Sequence, residues 1–474
     1  MRLLKNFFWN AGYQIFILIV PLVTIPYVNR ILGPVQIGIN AYTNSIAQYF
    51  ILAGSLGISI YGNREIAYHK DNVAERSQVF WELAILRLAT TFIASIAYFA
   101  LIGIMNRYKI FFLAQSVIVV GMGFDISWYF QGVEKFGIIV IRSTLVRILS
   151  LVAIFVFVRK QSDLAIYILI VALSQTLGYL TLIPYLRGEI IRPNWKMLSF
   201  RRHIFPAIAL LVPQVATQLY LQLNKTMLGV IDNVASSGYY DNADKIIKLI
   251  LALVTATGTV LLPHVANRFA KGDKAGVQKA LHVSIHIILL MAFPLAAGLV
   301  VVARPLTILF FSQKFLPVQS LIQIESLVII FIGVSNAVGV QYLLPTNQVS
   351  QYTRSVVYGS AVNIILNIPM IIYWGARGAV VGTVISEAVV TIYQLLVVRD
   401  QLNIRVLFRE TWKYCVASLI MFIGIFPLRF FHISLVKLLI LEVVFGGIIY
   451  FFILIILRPH FLLKNMSQLL WKKR

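Results

Sequence analysis

Two polar stripes interrupt an otherwise apolar chain. Gln214, Gln218, Gln222 and Lys225 are spaced by four, four and three residues, so on a helix all four side chains share one face. Beyond the turn-forming stretch Gly229-Val230-Ile231-Asp232-Asn233, a second helical pattern carries Asp241, Lys245 and Lys248, again on one face. A lysine near a bilayer centre costs about 2.5–3.5 kcal/mol on insertion scales, so such faces must look into a wet cavity or onto a partner helix. Ammonium groups around a wet intramembrane cavity can compensate the charge of an anionic, membrane-tethered substrate. Lys225 has no acid at helical spacing beside it and is the leading candidate for that contact. Asp241–Lys245 and Asp244–Lys248 are acid-before-base pairs four apart, so their lysines have a second reading, as snorkelling side chains neutralised on their own helix.

The first half carries a separate group of charges. Glu82 and Arg87 fall in one apolar run, Asp125 and Glu134 at the end of the next, and Arg142 and Arg147 in the one after. Three arginines and three carboxylates can stitch helices together as ion pairs. Alternatively, Arg87, Arg142 and Arg147 form an inward-facing basic patch whose forks meet phosphate oxygens, while Asp125 or Glu82 exchanges partners or protons. Asp241 is the corresponding ion-coupling candidate in the second half. Glu325, Glu387 and Glu442 are isolated acids, and Asn336, Gln341, Asn363 and Asn367 suit hydrogen bonding between helices more than sugar binding. His282 and His286 lie four apart without a third ligand near them in sequence, so no metal site or cofactor is expected. A lone cysteine, Cys415, excludes an intramolecular disulfide.

The elements that position these residues are membrane spans. Hydrophobic residues make up 59% of the 474 and mean hydropathy is +0.86, above the roughly 45–50% apolar usage of soluble proteins. Apolar runs of about 20 residues recur from Phe7 to Leu457, about fourteen in all, leaving about ten residues per loop. The fold class is therefore an all-α polytopic membrane protein. A net charge of +24 reads first as topology: with the N-terminus inside, about 24 of the Lys and Arg residues fall on inner loops and about 10 on outer ones. Both termini are expected in the cytoplasm, and the inner loop with Arg187, Arg192, Lys196, Arg201 and Arg202 carries the strongest bias. No basic segment outside the membrane is long enough to read nucleic acid. Arg2 and Lys5 precede an apolar run without a small-residue cleavage site, so this run is taken as the first span.

Spans one to six occupy residues 1–186, a basic linker covers 187–204, spans seven to twelve cover 205–400, and residues 401–474 hold two further helices and a basic tail. An internal repeat relates the halves. Asn29-Arg30-Ile31-Leu32-Gly33 aligns with Lys225-Thr226-Met227-Leu228-Gly229 at an offset of 196, and Gly38 and Tyr42 align with Gly238 and Tyr239 or Tyr240. Six spans apart, the repeats keep one orientation, which implies an axis along the membrane normal and a substrate site between the halves. Pro21 and Pro26 in the first span, and Pro206 and Pro213 in the seventh, mark bends.

Several segments in this order resemble the Wzx-type oligosaccharide flippases, the polysaccharide-transporter branch of the superfamily that includes MATE drug exporters and lipid II flippases. They are Pro26-Tyr27 with Arg30-Ile31-Leu32-Gly33, Tyr61-Gly62-Asn63-Arg64-Glu65, Asp125-Ile126-Ser127-Trp128-Tyr129-Phe130-Gln131-Gly132, Ala243-Asp244-Lys245-Ile246 and Gly375-Ala376-Arg377-Gly378. The resemblance implies a MATE-like fold, with two pseudo-symmetric six-helix bundles plus two C-terminal helices. It implies alternating access and an undecaprenyl-pyrophosphate-linked oligosaccharide as substrate in a bacterial cytoplasmic membrane. Membrane lipids, a polysaccharide polymerase and glycosyltransferases are the partners it implies. The basic cavity that it implies would draw on Arg30, Arg87, Arg142, Arg147, Gln218, Gln222, Lys225, Lys245 and Lys248. Asn224 stands where many members carry an aspartate, which leaves Lys225 less neutralised. The alternatives are a multidrug exporter of the same fold, for which a cationic cavity is a poor host, and a membrane polymerase or acyltransferase. The latter would need catalytic acids or histidines on an outer loop, yet the longest, about Ala303 to Ser320, has only Arg304 and Lys314 as charges.

Overall fold

Apolar runs of spanning length must satisfy their own backbone groups, and in this chain they do so as helices. The computed structural model describes residues 2–431 and 433–459, with the side chains of 2–19, 212, 213, 216, 217, 220, 257–264 and 274 excepted. The expected basic tail beyond 459, and the side chains of Arg2, Lys5 and Pro213, lie outside the described residues. In order, the helices are α1 (Arg2–Ser55), α2 (Ile58–Tyr68), α3 (Val73–Ile104), α4 (Lys109–Gly121), α5 (Ser127–Gly132), α6 (Phe136–Phe157), α7 (Leu164–Leu180) and α8 (Arg201–Met227). They continue with α9 (Val234–Ala270), α10 (Lys274–Phe310), α11 (Pro317–Glu325), α12 (Val328–Ser335), α13 (Val349–Trp374), α14 (Ala376–Val398), α15 (Ile404–Leu407), α16 (Thr411–Ile425) and α17 (Leu435–Leu457). Among the described residues, ten helical segments are long and apolar enough to cross a membrane. The chain falls into two compact units, one ending at Gly238 and the other beginning at Tyr239.

The first two expected spans are present as two helical stretches of α1 that meet at a kink, where Gly33 is non-helical with a left-handed φ of 77° and its successor Pro34 has no N–H to give. Two departures from the sequence reading have local causes. The fourth expected span stops at Gly121, passes through a short 3-10 turn and breaks at Asp125, which has extended backbone and starts α5 by accepting the Ser127 N–H at 3.0 Å. The outer loop expected over about Ala303 to Ser320 is half helical. Helix α10 runs on to Phe310 despite Pro305, and Pro317 opens α11 from its first turn, where a missing N–H costs nothing.

In the first unit an aromatic core ties α2, α3 and α5 together. Trp128, Tyr129 and Phe130 are fully buried beside Phe80, with Trp128 stacked on Phe80 at 5.7 Å between centroids. Helix α8 ends in a π-helical turn over Leu228–Asp232 before Asn233 extends the chain into α9. There Gly38 and Gly238, aligned by the repeat, touch: a Cβ on Gly38 would sit 1.7 Å from the Val234 carbonyl oxygen, and one on Gly238 would sit 2.7 Å from the Gly38 nitrogen. Only glycine permits that approach. The Ser45 hydroxyl meets that of Thr226 at 2.8 Å, and the Tyr49 hydroxyl reaches it at 3.1 Å.

In the second unit, α10 is packed against α16 and α17 at its two prolines. Pro294 and Pro305 leave the carbonyls of Leu290 and Val301 without their intrahelical donors. Tyr450 Oη donates to Leu290 at 2.7 Å, and Arg429 Nη2 donates to Val301 and, at 2.8 Å, to Val300.

Candidate functional site

Within the first unit a cavity of about 570 Å³ opens among α1, α5, α6 and α7. Helix α6 supplies Arg142, Ser143, Arg147 and Ser150. Of these, Ser143, Arg147 and Ser150 are at helical spacing, so their side chains repeat on one face. Ser127 and Gln131 come from α5, and Tyr167, Ser174, Gln175 and Tyr179 from α7. The lining holds two arginines and, among the described residues, no carboxylate.

Arg142 is 9% exposed. Its Nη1 donates to Thr181 Oγ1 at 3.1 Å, and its Nη2 lies 3.4 Å from Ser143 Oγ, so hydroxyls orient the fork within the cavity wall. Arg147 is half-buried one turn further along. Tyr179 stands within electrostatic reach of Arg142, Arg147, Arg87 and Asp125, which connects the cavity to a charge pair behind it. That pair is fully enclosed: Arg87 is 1% exposed, and its Nη2 donates to Asp125 Oδ2 at 2.9 Å. The remaining guanidinium edges donate to the Met122 carbonyl and to Ser59 Oγ, each at 3.1 Å. Asp125 also fixes the start of α5, so the pair holds Ser127 and Gln131 in the cavity wall.

Glu82 lies elsewhere, at the junction of α3 with the linker. It accepts the Ser199 N–H at 2.7 Å, Arg202 Nη2 at 2.6 Å and Gln78 Nε2 at 3.1 Å, and it meets His203 Nε2 at 2.6 Å. The other face of His203 meets the Tyr61 hydroxyl at 2.8 Å. Ser199, Arg202 and His203 lie more than a hundred residues from Glu82 in sequence, so spacing gave no signal of them, whereas Gln78 is one helical turn away. Glu134 pairs with Lys70 at 2.9 Å. Arg30 is exposed on α1.

The stripe Gln214, Gln218, Gln222 and Lys225 does lie on one continuous helix, α8. Gln218 and Gln222 are half-buried and Lys225 is 8% exposed, with its carbonyl accepting Ser237 Oγ at 2.9 Å. In the second unit, α9 carries both acid–base pairs. Lys245 reaches Asp241 at 2.5 Å and Lys248 reaches Asp244 at 2.7 Å, with the lysine side chains about two-fifths exposed and the acids buried. The ammonium groups are therefore anchored on their own helix while still reaching outward. The serines, glutamines and tyrosines of the cavity were not singled out from sequence, although the Ser143–Arg147–Ser150 spacing was available to show one of its walls. Among the described residues no three His, Cys, Asp or Glu side chains form a metal site. His286 Nδ1 meets the Tyr414 hydroxyl at 3.1 Å, with the His282 ring edge-on to it.

The family described as "Polysaccharide biosynthesis protein" matches residues 3–269. Over 405 residues the chain is 22% identical to an Escherichia coli (strain K12) protein named "Putative O-antigen transporter", a match covering 84% of this chain and 97% of the other. Among solved structures it is similar to "Lipid II flippase MurJ, inward closed conformation", with a TM-score of 0.76 at 17% identity over 94% of this chain and 97% of that one. An inward-facing multidrug resistance MATE transporter gives a TM-score of 0.58 at 15% identity, over 81% of this chain and 94% of the other. The fold is thus that of these transporters, all-α and multi-pass.

Proposed function

Because this chain belongs to the polysaccharide biosynthesis protein family, we propose that it is a flippase, carrying lipid-linked sugar or similar amphipathic cargo across the membrane. Its cargo on this reading is an undecaprenyl-pyrophosphate-linked oligosaccharide repeat unit. It crosses the bacterial cytoplasmic membrane by alternating access of two six-helix bundles, for surface polysaccharide synthesis. Both termini are cytoplasmic, and the polymerase and glycosyltransferases are partners of the pathway.

One observation carries the proposal: a cavity lined by Arg142, Arg147 and a set of hydroxyls and amides, with no acid among the described residues of its lining. A pyrophosphate cannot cross hydrocarbon without replacement of its water. Arginine forks supply charge-assisted donors, serine and glutamine groups match sugar hydroxyls, and the lipid tail stays in the bilayer. The headgroup meets Arg142 and Arg147 first and is then passed to Lys225, Lys245 and Lys248. Arg30, Gln218 and Gln222 are further contacts, and Asp241, Asp125 and Glu82 are the candidates for ion coupling. Spread cations release what they bind more readily than one tight cluster.

The test is loss of the chain in its host. Lipid-linked oligosaccharide should accumulate on the inner leaflet and surface polysaccharide should fall. Unchanged leaflet distribution would overturn the proposal.

A further inference from the structure

The second unit contains a cavity of opposite character. It measures about 410 Å³ and is walled by α10, α16 and α17 with Ile250 of α9, and Met291, Leu295, Met421 and Phe451 are among its apolar faces. Its volume has a clear origin. Pro294 removes a backbone N–H from α10 at this level, and three glycines, Gly298, Gly446 and Gly447, face the opening. A Cβ on Gly447 would meet nothing within 4 Å, and one on Gly298 only the Met421 methyl at 4.0 Å.

One charged side chain lines this apolar space. Glu442 is 1% exposed, and neither of its carboxylate oxygens accepts a hydrogen bond from any described residue. Of the donors close to it, the Tyr450 hydroxyl and Arg429 Nη2 are committed to backbone carbonyls, and Arg429 Nε hydrogen-bonds neither Glu442 nor any other described acceptor. The Tyr450 hydroxyl is spent on the Leu290 carbonyl at 2.7 Å. Arg429 places Nη2 on the carbonyls of Val300 and Val301, and its Nε edge approaches Glu442 only to 4.0 Å. A buried carboxylate held by one long ion pair retains most of its need for a partner. Val443 and Phe451, on the same helix, are 59% and 61% exposed, so the cavity borders the lipid-facing surface of α17.

From these observations we infer that the groove between α10, α16 and α17 is a binding site for a lipophilic monovalent cation, with Glu442 as its counter-charge. The occupant enters from the hydrocarbon, lays its apolar groups over the three glycines and against the two methionines, and brings its charge to Glu442. Methionine side chains adapt to varied apolar shapes at low cost. This site is independent of the arginine-lined cavity and of the flippase reading, since it uses other helices and the opposite charge.

The test uses purified full-length protein in lipid nanodiscs and two probes of one shape and opposite sign, tetraphenylphosphonium and tetraphenylborate. Tetraphenylphosphonium should bind saturably, and tetraphenylborate should not compete with it. Glu442→Gln should weaken that binding at least about tenfold, the scale of one ion pair in low-dielectric surroundings. Gly447→Leu, which fills the groove and leaves the carboxylate, should weaken it similarly. Arg147→Gln should leave it unchanged. Equal affinity in Glu442→Gln and parent protein, each shown to be folded by its circular dichroism, would overturn the assignment. So would tetraphenylborate binding that Gly447→Leu abolishes equally.

Discussion

The Arg87–Asp125 pair behind the arginine-lined cavity gives a quantitative test of how that cavity is held. Replacing Asp125 with leucine strands a guanidinium that is 1% exposed, and breaking a buried pair from one side costs about 3–5 kcal/mol. It also removes the acceptor of the Ser127 N–H at the start of α5, worth about 1 kcal/mol. The Asp125 side chain is only 10% exposed, so solvent offers little relief, and the single change should cost about 4–6 kcal/mol. Arg87→Met alone strands the acid and should cost about 3–5 kcal/mol. Removing both charges leaves no uncompensated ion, so Arg87→Met/Asp125→Leu should be less destabilised than either single variant. The expected remainder is about 2–3 kcal/mol, for the partners lost at Met122, Ser59 and Ser127. Unfolding in detergent can be followed by tryptophan fluorescence, because the fully buried Trp128 donates its indole N–H to the Asp125 carbonyl at 3.0 Å. A double variant whose loss equals the sum of the two singles, or a single Asp125→Leu within about 1 kcal/mol of the parent, would refute the reasoning.

Other outcomes follow from the same packing. Tyr450→Phe should cost about 1–2 kcal/mol by orphaning the Leu290 carbonyl, and less than half of that in a Pro294→Ala background, where residue 294 regains its N–H; a thermal-melt double-mutant cycle measures the coupling. Gly38→Ala should destabilise by about 1–3 kcal/mol or prevent assembly, because its methyl would overlap the Val234 carbonyl. A neighbouring control, Ala41→Gly, should be milder by the same melt. Glu82→Ala should cost more than Arg202→Ala in urea titration of the purified protein. The acid is 0% exposed with four donors around it, whereas the Arg202 side chain is 48% exposed and can return to water.

Much of the fold could be read from the residues. Apolar runs broken by short polar loops gave helices such as Phe136–Phe157 and Leu435–Leu457 nearly to the residue, because a membrane leaves few alternatives to a helix. An aspartate in an apolar run reads first as a charge, so the break at Asp125 is not apparent from composition, although its acceptance of the Ser127 N–H two residues on is a local Asx-type bond. Of the candidate site, Arg142 and Arg147 were legible as intramembrane charges on one helix. The walls opposite them were not, since Ser127, Gln131, Tyr167 and Tyr179 converge through packing of α5 and α7. The same holds for Glu82, whose partners Arg202 and His203 arrive from more than a hundred residues away. On α9, by contrast, the i,i+4 spacing of Asp241 with Lys245 and Asp244 with Lys248 was enough, because those pairs are local.

Initial rates of lipid-linked oligosaccharide transfer in proteoliposomes, for Arg147→Gln and Lys225→Gln beside the parent, test the central claim most directly. Each lost charge-assisted contact is worth about 1.5–3 kcal/mol, so transfer should fall by about ten- to a hundredfold, with the variants still folded by circular dichroism. Full-rate transfer in both would contradict the claim that these cations compensate a diphosphate on its way across the bilayer.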